Sequence, residues 1–303
     1  MLNYRPKMFS EAPDKNTSND FIIIMISFIA VFLVTFGMEM FITGLLYSSD
    51  IMRDENPEND NVVHISALLS RGLTVFIIVL YCRFAEGRPV CSMGIRKKNF
   101  FVHYFSGLIV GAVLVSASYL ILKYLGAVSI KPCENVNYTV IVLFFIGFIA
   151  QGMSEEFVFR GYLFTSVGSA GHHTMLAVIT SSVAFGLAHN EIENFNIFYF
   201  CFVMLTGVFM ALYMTLFDNI WGVCAIHTMW NFATANVFGL DQKYESIMLT
   251  ADITNKGYLT GSEYSNNIIS SIVIGIGIVI VSILLFIKYM ITKSKSAEQS
   301  VSG

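Results

Sequence analysis

The sequence predicts an all-α polytopic membrane protein, with about eight transmembrane helices around a polar intramembrane active-site cavity. Three observations lead there. Hydrophobic residues make up 55% of the chain and charged residues only 13%, about half the charged share of a soluble domain. Apolar runs of about twenty residues, the length that crosses a hydrocarbon core, recur along the whole sequence. Within one of these runs two adjacent carboxylates and a guanidinium stand together, which hydrocarbon tolerates only where such groups pair or face a polar cavity.

Residues 1–20 are polar and lack a short apolar region followed by a small-residue cleavage site. The first apolar run, Phe21 to Tyr47, therefore reads as a retained helix and 1–20 as a polar tail. The second run spans Val62 to Phe84 and the third Phe101 to Val128. The fourth, Tyr138 to Val167, carries the charged cluster. The fifth is His173 to His189, the sixth Ile197 to Phe217, the seventh Ile220 to Leu240 and the eighth Ile268 to Met290. Asp241 to Asn266, rich in Asn, Thr, Gly and Ser, reads as a solvent loop. Residues 291–303 read as a polar tail, which leaves 21–290 as one eight-helix membrane domain. No internal repeat is visible, which speaks against a transporter built from inverted halves.

An even number of crossings puts both termini on one side. With the termini inside, cytoplasmic regions hold eleven Lys and Arg residues against five outside, and Arg71 and Arg160 lie within the membrane. That excess favours cytoplasmic termini, with a bacterial plasma membrane as the expected location. The basic loop between Glu86 and Asn99, GRPVCSMGIRKKN, reads as an orientation signal in contact with lipid headgroups. Arg71, in the middle of the second run, must face the bundle or snorkel, and no single partner can be named for it. A net charge of −3 argues against nucleic acid as a partner. The expected partners are membrane lipid and a peptide or membrane-protein substrate. Five cysteines show neither CxxC nor disulfide spacing.

The chemistry-bearing groups separate by helical spacing. Glu156 and Arg160 lie about 40° apart around a helix and can form an ion pair, whereas Glu155 lies about 140° from Arg160 and is the carboxylate left over. The fifth run ends in AFGLAHN, with Phe185 and His189 on one face, and the seventh contains HTMWN, with His227 and Asn231 on one face. The fourth and fifth runs are joined by a turn near Gly168 to Gly171, so Glu155 and His189 lie roughly 18 and 22 Å from that turn. From the turn near Asp218, on the same face, His227 and Asn231 lie about 13 and 20 Å away. One polar layer can hold all four. A lone intramembrane His or Asn is often only an interhelical hydrogen bond; convergence at one depth shifts the reading toward a site. A carboxylate and an imidazole in a dry cavity can hold and deprotonate a water, while a second His and an Asn amide can donate to an oxyanion. Ser154 has no nucleophile-elbow sequence around it, and HExxH is absent. No cofactor is the first expectation. Zinc, held by Glu155, His189 and His227, is the alternative their side chains permit.

Glu155-Glu156-x-x-x-Arg160, Phe185-x-x-x-His189 and His227-x-x-x-Asn231, in that order on successive segments, resemble the three motifs of the CPBP family. These are the CAAX prenyl endopeptidase and bacteriocin-processing intramembrane proteases, also called the Abi family. The resemblance covers a motif core at 139–238, and the GIRKKN loop is similar too. It implies an eight-helix membrane endopeptidase in which Glu155 and His189 activate water. It further implies oxyanion stabilisation by His227 and Asn231, with Glu156 and Arg160 as support. Members have been described both as metalloproteases and as metal-independent glutamate enzymes. The expected function is hydrolysis of a peptide bond in a membrane-associated protein or peptide, of CAAX or bacteriocin-precursor type. The alternative is a non-proteolytic membrane immunity or binding protein of the same fold, which would be expected to lose Glu155 or His189. A transporter relay would need a continuous polar path, and the first, third and eighth runs hold almost no ionisable residue.

Overall fold

In hydrocarbon no water satisfies the backbone N–H and C=O groups, so an apolar run must close its hydrogen bonds within itself as a helix. The computed structural model describes residues 5–12, 20–48, 57–190, 193, 195–239, 248–254 and 272–301, and in it each apolar run is helical over most of its described length. A short α1, Lys7–Ser10, precedes α2, Phe21–Tyr47, whose first turn is capped by the Asp20 carboxylate accepting from Ile22 N. The second run is two helices, α3 (Pro57–Ser70) and α4 (Gly72–Leu80), interrupted at Arg71 and followed by a π-helical turn at Tyr81–Ala85. Next comes α5, Phe100–Tyr124. The charged run begins as α6, Tyr138–Glu156, capped by Asn137, widens into a π-helix at Phe157–Phe164, and closes as α7, Thr165–Ser169. Helices α8 (Thr174–Ala188), α9 (Ile197–Phe217), α10 (Trp221–Phe232, extended by a π-turn at Ala233–Val237) and α11 (Ile272–Val301) complete the bundle.

Among the described residues, five helical spans are long and apolar enough to cross a membrane: Phe21–Tyr47, Asp60–Ala85, Phe100–Tyr124, Tyr138–Ser169 and Ile197–Phe217. Thr174–Ala188 and Gly275–Ile291 are shorter apolar helices. The chain is an integral membrane protein. The outer faces of α2, α5 and α11 expose Leu, Ile, Val and Phe side chains, the surface that lipid requires. In contrast α10 is nearly all buried and packs against α5, α6 and α9. Its approach to α6 is close because Gly152 has no side chain: a Cβ there would stand 2.8 Å from the backbone N of Thr228.

Three expectations change. The third run stops as a helix at Tyr124, and Val128–Pro132 forms β1, antiparallel to β2 (Leu249–Ile253), with Val128 opposite Ile253. The loop expected over Asp241 to Asn266 is thus partly a strand, and the rest of it lies largely outside the described residues. The C-terminal helix runs on to Val301, through most of the expected polar tail.

The N-terminal tail and the basic loop also differ from their expected roles. Residues 1–4 and 13–19 lie outside the described residues, but 5–12 dock beneath the turns. Met8 and Phe9 are buried, Arg5 Nη2 donates to Gly168 O and Ser169 O, and Met8 N donates to Asp218 Oδ1. In the basic loop, Arg88 is wholly buried, donating to the Ser166 and Thr165 hydroxyls and pairing with Glu86. Arg96 bridges Glu11 and Asp218. Of its basic residues only Lys97 and Lys98 remain exposed, as a headgroup contact would require. The physical reason is the guanidinium fork, which satisfies hydroxyls, carboxylates and the carbonyls left open at helix ends.

Candidate active site

The polar layer is built on α6. A helix repeat of four brings Gln151 over Glu155 and Glu156 over Arg160, and the structure realises both contacts. Gln151 Nε2 donates to Glu155 Oε1 at 3.2 Å, and Arg160 Nη1 donates to Glu156 Oε1 at 3.0 Å. The Glu156–Arg160 pair is fully buried, as an ion pair facing away from lipid must be. The π-helix begins directly after Glu156. Such insertions are frequent at functional sites, where they re-aim side chains within a helix.

His189 arrives from the C-terminal end of α8. Its Nδ1 lies 2.9 Å from Phe185 O. A backbone carbonyl only accepts, so Nδ1 carries the proton, and Nε2 of the neutral ring keeps a lone pair. That Nε2 lies 3.3 Å from Glu155 Oε2. His227 of α10 lies between the two carboxylates, with Nδ1 2.8 Å from Glu156 Oε1 and Nε2 3.5 Å from Glu155 Oε2. Two imidazole nitrogens therefore converge on one carboxylate oxygen, Glu155 Oε2, which is buried and makes no hydrogen bond among the described residues. Phe185 explains its place in the second motif. Its ring packs on His189 with centroids 4.4 Å apart and carries the Arg160 guanidinium over its face at 4.3 Å.

The expected layer is thus assembled for Glu155, His189 and His227, with Glu156 and Arg160 paired beside them. Asn231 is half-buried one turn beyond His227 and makes no side-chain hydrogen bond to the described residues. A cavity of ≈330 Å³ adjoins the layer, lined by Glu39, Arg71, Gln151, Glu155 and His189 together with Phe32, Phe36, Val158 and Phe159. His227 and Asn231 are not among its lining residues.

Two site residues escaped the sequence reading. Arg71 has the partner that could not be named: its Nη1 donates to Glu155 Oε1 at 3.3 Å. Glu39 of α2 stands beside it, with its Oε2 3.9 Å from Arg71 Nε and its Oε1 accepting from Thr74 Oγ1 at 2.7 Å. The usable signal was their rarity. Each is an ionisable residue inside an apolar helix, a functional indicator by default.

For zinc, the donor set is Glu155, His189 and His227. Among the described residues no group of three or more His, Cys, Asp and Glu side chains is placed to hold a metal, and Glu155 Oε1 is already engaged by Arg71 and Gln151.

Residues 137–233 match the model of the type II CAAX prenyl endopeptidase Rce1-like family. The matched stretch contains Glu155, Glu156, Arg160, Phe185, His189, His227 and Asn231, and it leaves out Glu39 and Arg71. No curated protein matches the chain.

Proposed function

We propose, from the Rce1-like CAAX prenyl endopeptidase domain over residues 137–233, that this chain is an intramembrane endopeptidase. It hydrolyses a peptide bond in a membrane-associated protein or peptide, within an eight-crossing bundle over 21–290. The observation that carries the reading is the convergence of His189 Nε2 and His227 Nε2 on Glu155 Oε2 at 3.3 and 3.5 Å, beside a cavity.

Two acceptors that face each other, Glu155 Oε2 and the His189 Nε2 lone pair, are matched by a water that donates to both. As the water oxygen adds to the scissile carbonyl carbon, its proton passes to Glu155 or His189, which act as general base. The carbonyl oxygen becomes an oxyanion, for which Asn231 and His227 supply donors. Because His227 Nδ1–H is directed at Glu156, its Nε2 donates only when the ring is doubly protonated. Collapse of the tetrahedral intermediate breaks the C–N bond, and the stored proton leaves on the amine. Glu156 and Arg160 hold the ring of His227 and the face of Phe185 in place.

Access follows from depth. The start of α2 packs at the α7–α8 turn, with Phe21 and His172 rings 5.8 Å apart. Phe32 to Glu39 in the cavity wall then lie about 17 to 27 Å from that face. Water and substrate therefore enter from the far side, near 190–196, a stretch partly outside the described residues. With the turn-bearing face cytoplasmic, in a bacterial plasma membrane, that side is external. An exported or membrane-embedded peptide fits this orientation better than a cytosolic CAAX terminus. Impermeant thiol labelling of single cysteines at Glu193 and Ser169 on intact cells tests the side; reaction at Ser169 alone inverts it.

The central test compares membranes carrying the native chain and Glu155→Gln. Proteins that accumulate uncleaved only with the variant identify substrates. Identical membrane proteomes would remove the protease reading and leave a binding or immunity role.

A further inference from the structure

The orientation of Glu155 depends on groups that lie outside the matched domain. Arg71 Nη1 and Gln151 Nε2 both donate to Oε1, at 3.3 and 3.2 Å. Two donors on one oxygen fix the rotation of the carboxylate plane and direct Oε2 at His189 and His227. Arg71 stands at the junction of the two helices of the second apolar run: α3 ends at Ser70, α4 starts at Gly72, and Thr74 N donates to Arg71 O. Glu39 Oε2 lies 3.9 Å from the guanidinium Nε, and Thr74 Oγ1 donates to Glu39 Oε1. Thr74, Glu39, Arg71 and Glu155 form one polar chain that ties α2 and α4 to the reacting carboxylate. The Arg71 side chain is 36% exposed and lines the cavity beside Glu155. Stability alone does not account for two charged groups in apolar helices.

We infer that Arg71, held by Glu39, is a positioning residue for Glu155, so that the working site extends beyond the motif-bearing helices to α2 and the α3–α4 break. The inference rests on the protease reading above. Its action runs through Glu155, and the signature is a loss in turnover with substrate binding unchanged.

The test uses the purified full chain in detergent with a quenched-fluorescent prenylated CAAX-type peptide. Arg71→Gln is expected to lower kcat by about 100-fold, the scale of a misplaced reacting group, with KM within about twofold. Arg71→Lys restores part of the rate because it returns the charge without the fork. Glu39→Gln, one step removed, lowers kcat by about tenfold or less. A kcat for Arg71→Gln within about threefold of the parent, or a loss confined to KM, overturns the inference. A readout without turnover runs beside it: ¹⁵N-histidine NMR of the substrate-free protein. Arg71→Gln should move the Nε2 resonances of His189 and His227 and leave those of His64 and His103 in place; unmoved His189 and His227 signals also overturn it. If the parent does not cleave the peptide while these resonances move as expected, the protease reading fails for that substrate class and the positioning of Glu155 stands.

Discussion

Two clusters of charge, one beneath the turns and one in the polar layer, are finished differently. Beneath the turns, Arg96 takes both oxygens of Glu11 at 2.7 Å and pairs with Asp218, while its carbonyl accepts from the Trp221 ring N–H at 2.9 Å. Arg88 spends its fork on Ser92, Thr165, Ser166 and Glu86. In the polar layer the contacts to Glu155 are longer, 3.2 to 3.5 Å, and Glu155 Oε2, Glu156 Oε2, Arg160 Nε and Gln151 Oε1 are buried with no hydrogen-bond partner among the described residues. The same residue types are present in both places. A completed network holds the fold, whereas one with open valences beside a cavity is prepared to take a ligand and its water.

Substitution should separate the two. The largest effect is expected for Glu155→Gln and His189→Ala, which remove the general base and should lower turnover by about 10²–10⁴-fold in a protein that still folds. Cleavage of a working substrate at near the parental rate by either variant would refute the water-activation assignment. Next come Asn231→Ala and His227→Ala. Loss of one oxyanion donor is worth about 2.7–4 kcal/mol in kcat, so turnover should fall and KM should not; a change in KM alone would make these residues substrate contacts.

The ion pair and the basal arginine are the structural counterpart. Glu156→Ala, Arg160→Ala and Arg88→Met each strand a buried partner and should cost about 3–5 kcal/mol of stability. The Glu156→Ala/Arg160→Ala double variant should recover part of that loss. Melting temperatures in detergent decide this, and values equal to the parent would take the pair out of the account. Arg88→Met should leave activity per folded molecule intact, in contrast to any change at Glu155.

The smallest effect concerns Cys91, in the basal loop. Burial pushes its thiol above the usual range, and the neighbouring Glu11 carboxylate adds to the shift. Glu11→Gln should therefore raise the thiolate fraction and speed maleimide labelling at pH 8 by about two- to fivefold, with a stability loss of only about 0.2–1 kcal/mol because Arg96 keeps Asp218. An unchanged labelling rate would show that burial alone governs this thiol.

Much of this architecture was legible without coordinates, because the signals are local. An apolar run in hydrocarbon has one way to satisfy its backbone, so run length alone located α2 and α9 to the residue. A four-residue spacing brings side chains together on any helix, so the Glu156–Arg160 pair and the Phe185–His189 face needed only the sequence. Depth counted from shared turns brought Glu155, His189 and His227 to one level. Depth does not give azimuth. Which face of α4 meets which face of α6, and hence that Arg71 reaches Glu155 and Glu39 stands beside it, depends on how helices pack across tens of residues of intervening chain. For the same reason spacing did not reveal that His227 lies between both glutamates. Nor did charge counting reveal that Arg88 and Arg96 turn inward. A lysine or arginine count fixes a side of the membrane, but the partner a guanidinium finds is decided by the carbonyls, hydroxyls and carboxylates that the folded chain leaves open around it.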